Sequence, residues 1–295
     1  MSRPIELLAP ARDAEVGREA ILHGADAVYI GGPSFGARAA AGNSVADIAA
    51  LCAFAHIYDA RVYVTLNTIL YDGEVEEARA LIQQLYEAGV DALITQDTAL
   101  PELQAEGRLA PIALHASTQM DNRGVEDAQQ RQAEGFTRVV LARESSLERI
   151  REIHKALPTL NIEAFVHGAL CVSYSGRCYA SAYKFDRSAN RGCCAQFCRL
   201  AFDLVDDDGR IIESNRHLLS LKDMCRKEDL EAMMDAGVMS FKIEGRLKDA
   251  AYVKNVTAAY RRAIDEVLAQ RADDYHRSSM GCELFSFSYQ SLRTH

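Results

Sequence analysis

Four short apolar segments of this 295-residue chain each follow a glycine that closes a helical pattern. These junctions read HGADAVYI, AGVDALI, EGFTRVVL and AGVMSFKI, and their glycines are Gly24, Gly89, Gly135 and Gly237. Glycine suits the residue after a helix because it adopts the left-handed backbone conformation without a Cβ penalty. Four copies of one helix-to-strand junction predict a repeated strand–helix unit.

Eight apolar segments in all have the length and composition of buried strands. They are residues 5–10, 26–32, 61–67, 91–97, 112–117, 138–143, 162–168 and 240–245. Their side chains alternate little in polarity, which is typical of parallel strands buried on both faces. Eight such strands separated by helical patterns predict an α/β fold, a TIM-like (β/α)8 barrel. An open doubly wound sheet is the alternative arrangement of the same units.

The predicted domain organisation is one barrel over residues 1–270 with a long insertion after the seventh strand. The insertion spans residues 169–223 and contains a β-hairpin pattern at 202–213. The sequence HLLSLKD, residues 217–223, is a ninth strand-like segment that either caps the barrel or replaces one of the eight strands. Residues 271–295 show no periodicity and are predicted to form an irregular C-terminal tail.

Polar side chains gather at the carboxyl ends of the predicted strands, where barrels of this type carry their chemistry. The candidate catalytic residues are His115, His167 and Glu244. The candidate substrate-binding residues are Asn67, Gln119, Arg143, Lys242 and Arg246 at strand ends, with Arg177 and Arg191 in the insertion.

Several of these side chains also have a purely structural interpretation. His115 lies within an apolar strand and can equally be a core histidine. Glu244 and Arg246 can equally form an ion pair at the rim of the barrel. Glu163 lies on the seventh strand and is predicted to pair with Lys242 inside the barrel.

Four of the eight cysteines, Cys171, Cys178, Cys194 and Cys198, lie in the insertion with the spacing Cys-x6-Cys-x15-Cys-x3-Cys. The chain has neither an apolar run of eighteen residues nor a secretory signal, so we expect no membrane association and a cytoplasmic location, where thiols stay reduced. The spacing admits a [4Fe–4S] cluster, a zinc ion or free thiols. Cys193 is adjacent to Cys194, and Cys194 fits the x3 pair better.

The net charge of −9 argues against broad electrostatic capture of nucleic acid. A local basic site remains open, because four arginines flank the cysteines. They are Arg177, Arg187, Arg191 and Arg199, and the alternative interpretation is a solvated loop.

The segment EAFVHGALCVSYSGRCYAS, residues 163–181, resembles the defining motif of the collagenase-like peptidase family. The resemblance extends over residues 5–270 and includes ELLAPARD, GADAVYIGG, LHASTQ, SANRGCCAQFCR and SFKIEGR. Within that family, GGPSFGAR, SANRG and LLSLKD are most similar to the branch that hydroxylates ribosomal RNA. Related branches hydroxylate a tRNA uridine or assist oxygen-independent ubiquinone hydroxylation.

The resemblance implies an iron–sulfur RNA-modifying enzyme that makes 5-hydroxycytidine in 23S rRNA, with RNA as its partner. It implies a [4Fe–4S] cluster on Cys171, Cys178, Cys194 and Cys198, with zinc as the alternative. It also implies prephenate as the hydroxyl-donor metabolite, and we expect such a dicarboxylate to meet cationic strand-end side chains. These are Arg143, His167, Lys242 and Arg246.

The chain departs from the family pattern in two ways. Cys193 stands where an acidic or polar residue is expected, and the RNA-modifying relatives continue into further domains. Two other functions are possible interpretations: a collagenase-like peptidase and a partner in ubiquinone hydroxylation that uses its cluster for electron transfer. The peptidase hypothesis lacks a motif, because the sequence contains neither HExxH nor GxSxG.

Overall fold

Eight parallel strands close into a barrel in the computed structural model, which describes residues 2–37 and 42–280. The barrel strands are β1 (Arg3–Ala11), β2 (Ala27–Gly31), β3 (Arg61–Leu66), β4 (Ala92–Thr95), β5 (Ala113–Ala116), β6 (Arg138–Val140), β7 (Asn161–Gly168) and β11 (Val238–Ile243). Their order is β7-β11-β1-β2-β3-β4-β5-β6, and pairing of β6 with β7 closes the ring. The predicted (β/α)8 barrel is confirmed, and the open sheet is wrong.

The helices pack around the outside of this barrel and bury its outward-facing side chains. They are α1 (Ala14–Leu22), α2 (Val45–Ile57), α3 (Val75–Glu87), α4 (Ala99–Ala105), α5 (Val125–Ala133), α6 (Leu147–Ala156), α8 (Leu230–Ala236) and α9 (Ala250–Gln270). All four junction glycines have positive φ, as their sequence context predicts. Gly237 also needs the space, because a Cβ there would lie 2.2 Å from Cγ of His154.

The insertion between β7 and α8 contains one short helix and a small sheet. They are α7 (Ala180–Phe185), the hairpin strands β8 (Phe202–Val205) and β9 (Ile211–Arg216), and β10 (Met224–Cys225). The hairpin was predicted, but HLLSLKD is not a strand; it forms a turn in which Ser220 N donates to His217 O. The short strand β10, directly after this turn, pairs with β7 in antiparallel orientation.

The beginning of the predicted irregular tail is ordered by contacts with the barrel. Residues Tyr275–Arg277 form β12, which pairs with β1. Arg277 and Ser279 both donate to the buried carboxylate of Asp26, which also pairs with Arg261. A three-residue strand is too short to show periodicity, so the sequence did not indicate it. Residues 281–295 of the predicted tail lie outside the described residues.

The barrel interior combines an apolar layer with a buried ionic network. Carboxylates of Glu6 and Glu163 accept from the guanidinium of Arg138, at 3.2 Å in each case. The predicted pair between Glu163 and Lys242 is confirmed, with 2.6 Å between Oε1 and Nζ. Tyr63 donates to Glu6 over 2.6 Å. Every ion of the network has an opposite partner, so the charges are compensated although the side chains are almost inaccessible. Within the described residues, Nε of Arg138 has no hydrogen-bond partner.

The helices of the described ranges include none that is both long and apolar enough to cross a membrane.

Candidate functional site

A small polar pocket lies at the carboxyl ends of the barrel strands; we call it the mouth pocket. Its lining includes six of the predicted site residues, namely Asn67, Gln119, Arg143, Lys242, Glu244 and Arg246. They converge because parallel strands deliver their last residues to the same end of a barrel. Three cations and one carboxylate are the charged groups of this lining, so the pocket suits an anionic ligand.

The cations of the mouth pocket are held in place by carboxylates and aromatic rings. Arg143 donates to Glu244 over 2.8 Å, and its guanidinium carbon lies 4.3 Å from the centre of the Phe165 ring. Lys242 Nζ lies 4.3 Å from the centre of the Tyr29 ring. Burial opposes the charge on Arg143, but Glu244, Cys171 and Tyr29 together outweigh burial and raise the arginine pKa. Burial lowers the pKa of Lys242, and pairing with Glu163 only partly offsets this.

Hydrogen bonds also hold other parts of the pocket lining. Asn67 Nδ2 donates to Ser117 Oγ over 3.3 Å, and Asn67 Oδ1 accepts from the backbone of Ala37. Arg246 is buried and donates to Oγ1 of Thr65. These bonds fix the walls before any ligand binds, which lowers the ordering cost of binding.

The two candidate catalytic histidines lie outside the mouth pocket. His115 is buried inside the barrel against Tyr63, with ring centres 4.8 Å apart. Burial, reinforced by Arg138 and Lys242, holds its pKa well below the usual range, so the ring is neutral. This environment matches the core-histidine interpretation.

His167 faces α9 because a register shift between β7 and β11 reverses the alternation of side chains. The shift makes His167 the partner of Ile243, whose side chain packs in the layer between barrel and helices. The His167 ring lies 5.5 Å from that of Tyr260, and its Nδ1 is 3.4 Å from the Tyr260 hydroxyl. Burial lowers the pKa of His167, although Asp223 opposes this.

The four predicted ligand cysteines line one cavity of about 410 Å³ beside the mouth pocket; we call it the cysteine cavity. Cys193 is absent from its lining. Burial raises the pKa of Cys198, and the nearby thiols of Cys171, Cys178 and Cys194 raise it further against the effect of Arg199. All four thiols are unpaired by disulfides.

In the part of the chain that the structure describes, no three His, Cys, Asp or Glu side chains are grouped to hold one metal ion. The four thiols instead surround a shared space. Gln119 and Arg143 line both this cavity and the mouth pocket, so the two sites adjoin.

Polar contacts fasten the cysteine segment, residues 170–200, to the barrel. Ser175 donates from its backbone and its hydroxyl to Glu144, over 3.1 and 3.0 Å. Arg177 donates to Asp121 over 2.7 Å. Arg191 pairs with Glu74 on the loop after β3, away from both cavities. Two predicted substrate-binding arginines are therefore engaged with carboxylates of the barrel loops.

Several contributors to the site were missed in the sequence. Tyr29, Thr65 and Phe165 line the mouth pocket, and Ser175 and Asn190 line the cysteine cavity. The strand residues could have been identified from the sequence, since residues two apart on a strand share a face. Thr65 precedes Asn67 by two residues, so both point inward. The insertion residues had no such signal.

We expect Gly176→Ala to release the cysteine segment from the barrel. Gly176 has φ of +77°, and a Cβ would lie 2.1 Å from the backbone oxygen of Gln119. The loop must therefore move. Amide hydrogen exchange in residues 170–200 should accelerate at least about tenfold, equivalent to about 1.4 kcal/mol of docking free energy.

Gly209→Ala is the matched control for that variant. Gly209 lies in the hairpin of the same insertion with φ of +80°, but a Cβ there would have no neighbour within 4 Å. It carries similar backbone strain without the collision, so exchange in residues 170–200 should stay unchanged. Equal exchange rates in the two variants would contradict the docking role of Gly176.

Comparison with known proteins gives a consistent set of relatives. The sequence profile of peptidase family U32 matches residues 12–288. The 23S rRNA 5-hydroxycytidine C2501 synthase of Escherichia coli is 56% identical over 96% of this chain and 43% of its own length. tRNA hydroxylation protein P1 of Bacillus subtilis is 38% identical over 90% of this chain and 64% of its own length. A collagenase of Porphyromonas gingivalis is 35% identical over 88% of this chain and 65% of its own length.

Among solved structures, the U32 peptidase Mk0906 superposes with a TM-score of 0.52 at 13% identity, covering 83% of this chain and 93% of that one. This similarity supports the fold. The chain spans less than two thirds of the length of these curated relatives.

Proposed function

Because the chain belongs to the peptidase U32 family, we propose that it is the barrel of an iron–sulfur enzyme that hydroxylates a pyrimidine of RNA. The proposed product is 5-hydroxycytidine in 23S rRNA, and prephenate is the proposed hydroxyl donor. The similarity to a 5-hydroxycytidine synthase and to a tRNA hydroxylation protein supports RNA as the substrate. The observation that most supports this proposal is that four thiols lie beside a cationic pocket.

The arrangement of the thiols fits a [4Fe–4S] cluster better than zinc. Tetrahedral zinc with Zn–S bonds of about 2.3 Å would bring the sulfurs to within about 3.8 Å of one another. A cluster separates its four thiolate ligands by its own width. The four cysteines line one cavity of about 410 Å³, which has room for the larger group. Cys171, Cys178, Cys194 and Cys198 are the proposed ligands.

The mouth pocket has a volume of about 30 Å³, so it has the chemistry and the room for one carboxylate group of a dicarboxylate beside the cysteine cavity. Arg143 and Arg246 offer planar donors for carboxylate groups, and Lys242 adds a compact positive charge. Glu244 orients Arg143 through their 2.8 Å hydrogen bond. When bound, an iron–sulfur cluster supplies electrons or a Lewis acid for a substrate oxygen. The protein's own residues bind and align the two substrates around it.

The geometry does not favour proteolysis. A peptidase of the cysteine type needs a nucleophile within hydrogen-bonding reach of a base that a third group orients. His167, four residues before Cys171, instead contacts Tyr260 on α9 and lines neither cavity.

Deletion of the gene in its own organism tests the proposal. Mass spectrometry of nucleosides from 23S rRNA and tRNA, with quinone profiling of the same cells, separates the three hypotheses. We expect loss of 5-hydroxycytidine with unchanged quinones. If the RNA nucleosides were unchanged and ubiquinone were depleted, the result would support a role in ubiquinone hydroxylation instead of RNA hydroxylation. Normal levels of both would overturn the proposal.

A further inference from the structure

A third cavity of about 340 Å³ lies between the ends of β4 and β5 and the cysteine segment; we call it the side pocket. Its size falls in the range of about 300–1,000 Å³ that is typical of ligand pockets. Gln119 lines the side pocket, the cysteine cavity and the mouth pocket. A ligand in the side pocket therefore lies next to both proposed reaction partners.

The side pocket offers the groups that read the edge of a pyrimidine. Gln119 and Asn190 bring amides, and Asp97 brings a carboxylate. Amides both donate and accept, and carboxylates accept from the exocyclic amine of cytosine. Within residues 2–37 and 42–280, the Gln119 side-chain amide has no hydrogen-bond partner. Asp97 is held in position by backbone donors of Leu70 and Ala99.

The rim of this pocket is a cationic and aromatic surface. The cysteine segment carries five Lys or Arg residues and one Asp, in a chain whose net charge is −9. Two of the five, Arg177 and Arg191, pair with barrel carboxylates, so the other three supply the local positive charge. Tyr179 lines the pocket, and Tyr183, one helical turn further on α7, is 93% exposed. Lys184 and Arg187 beside it are exposed as well. Exposed aromatic rings interleaved with cations are typical of surfaces that bind single-stranded nucleic acid.

We propose that the side pocket receives the target pyrimidine, turned out of the RNA strand, while α7 and its flanks bind the neighbouring nucleotides. The substrate class follows from three features together: a pocket with amide and carboxylate groups, a stacking surface, and local positive charge. Enzymes that modify a base take it out of its stack in this way. This inference rests on the proposed function, because it assigns the RNA of that reaction to a surface.

The stacking surface is tested with a fluorescent single-stranded 12-nucleotide RNA that contains one central cytidine. Tyr183→Ala should raise its dissociation constant about tenfold, the typical effect of losing one base-stacking ring. Tyr86→Ala, on the exposed face of α3, is the matched control and should bind normally. Equal affinities of the two variants would overturn the assigned surface.

The salt dependence of the same binding tests the charge of α7. Lys184→Ala should reduce the slope of log affinity against log salt by about 0.7, since one phosphate contact on a single strand is lost. Lys155→Ala, on exposed α6, is the matched control and should leave the slope unchanged. Identical slopes for both variants would contradict phosphate binding at α7.

The pocket itself is tested by replacing the central cytidine with an abasic ribose. The wild-type protein should bind the cytidine RNA about tenfold more tightly, and Gln119→Ala should abolish that preference. A preference that persists in Gln119→Ala would overturn the base pocket. Failure of the proposed function has a different signature, namely no RNA binding together with normal 5-hydroxycytidine in the deletion strain.

Discussion

A Cys198→Ser protein is expected to retain less than about one tenth of the iron and sulfide that the wild-type chain binds after anaerobic reconstitution. Thiolates are the ligands that hold a [4Fe–4S] cluster, and a serine hydroxyl is a poor replacement. Cys198 lines the cysteine cavity together with the three other proposed ligands. Iron, acid-labile sulfide and visible absorbance per chain are the measurements. Cys171→Ser and Cys178→Ser should behave alike.

Cys193→Ser is the matched control, because it changes the residue next to Cys194 without altering the lining of the cysteine cavity. It should reconstitute as the wild-type protein does, whereas Cys194→Ser should not. The reverse result would show that Cys193 is the third ligand. A colourless wild-type protein that holds one zinc ion per chain would contradict the proposed cluster.

Most of the barrel was predictable because its signals are local. A glycine such as Gly89 after a helix reports on its own segment, and so does an apolar run such as residues 91–97. Four such glycines and eight such runs together determine the architecture. The convergence of Asn67, Arg143 and Glu244 also followed, since strand ends meet at one face of a barrel.

The parts that could not be predicted depend on register and on long-range packing. His167 was expected at the barrel mouth, but a one-residue shift between β7 and β11 turns it toward α9. Arg177 and Arg191 are cationic in any sequence-based interpretation, yet only the fold shows that Asp121 and Glu74 pair with them. The side pocket is likewise formed by segments far apart in sequence.

The barrel stability depends strongly on the buried ionic network, and Arg138→Met is expected to reduce the free energy of unfolding by about 3–5 kcal/mol at neutral pH. The variant leaves the carboxylates of Glu6 and Glu163 inside the barrel without the guanidinium that each contacts at 3.2 Å. Urea denaturation followed by circular dichroism measures the difference. Arg149→Met removes an exposed pair with Glu152 on α6 and should cost at most about 0.5 kcal/mol.

The pH dependence identifies the cause of that loss. Burial opposes ionisation of Glu6, but Arg138 outweighs it and lowers the Glu6 pKa below its ordinary value of 4.5. In the wild-type protein this contribution is complete above pH 4.5 and is lost as the pH falls through the lowered pKa. In Arg138→Met only the hydrogen bonds from Tyr63 and Ser240 oppose burial, so the Glu6 pKa should rise and acid should relieve the unpaired charge. The two stability curves should therefore converge as the pH falls, whereas a difference that stays constant would point to lost packing.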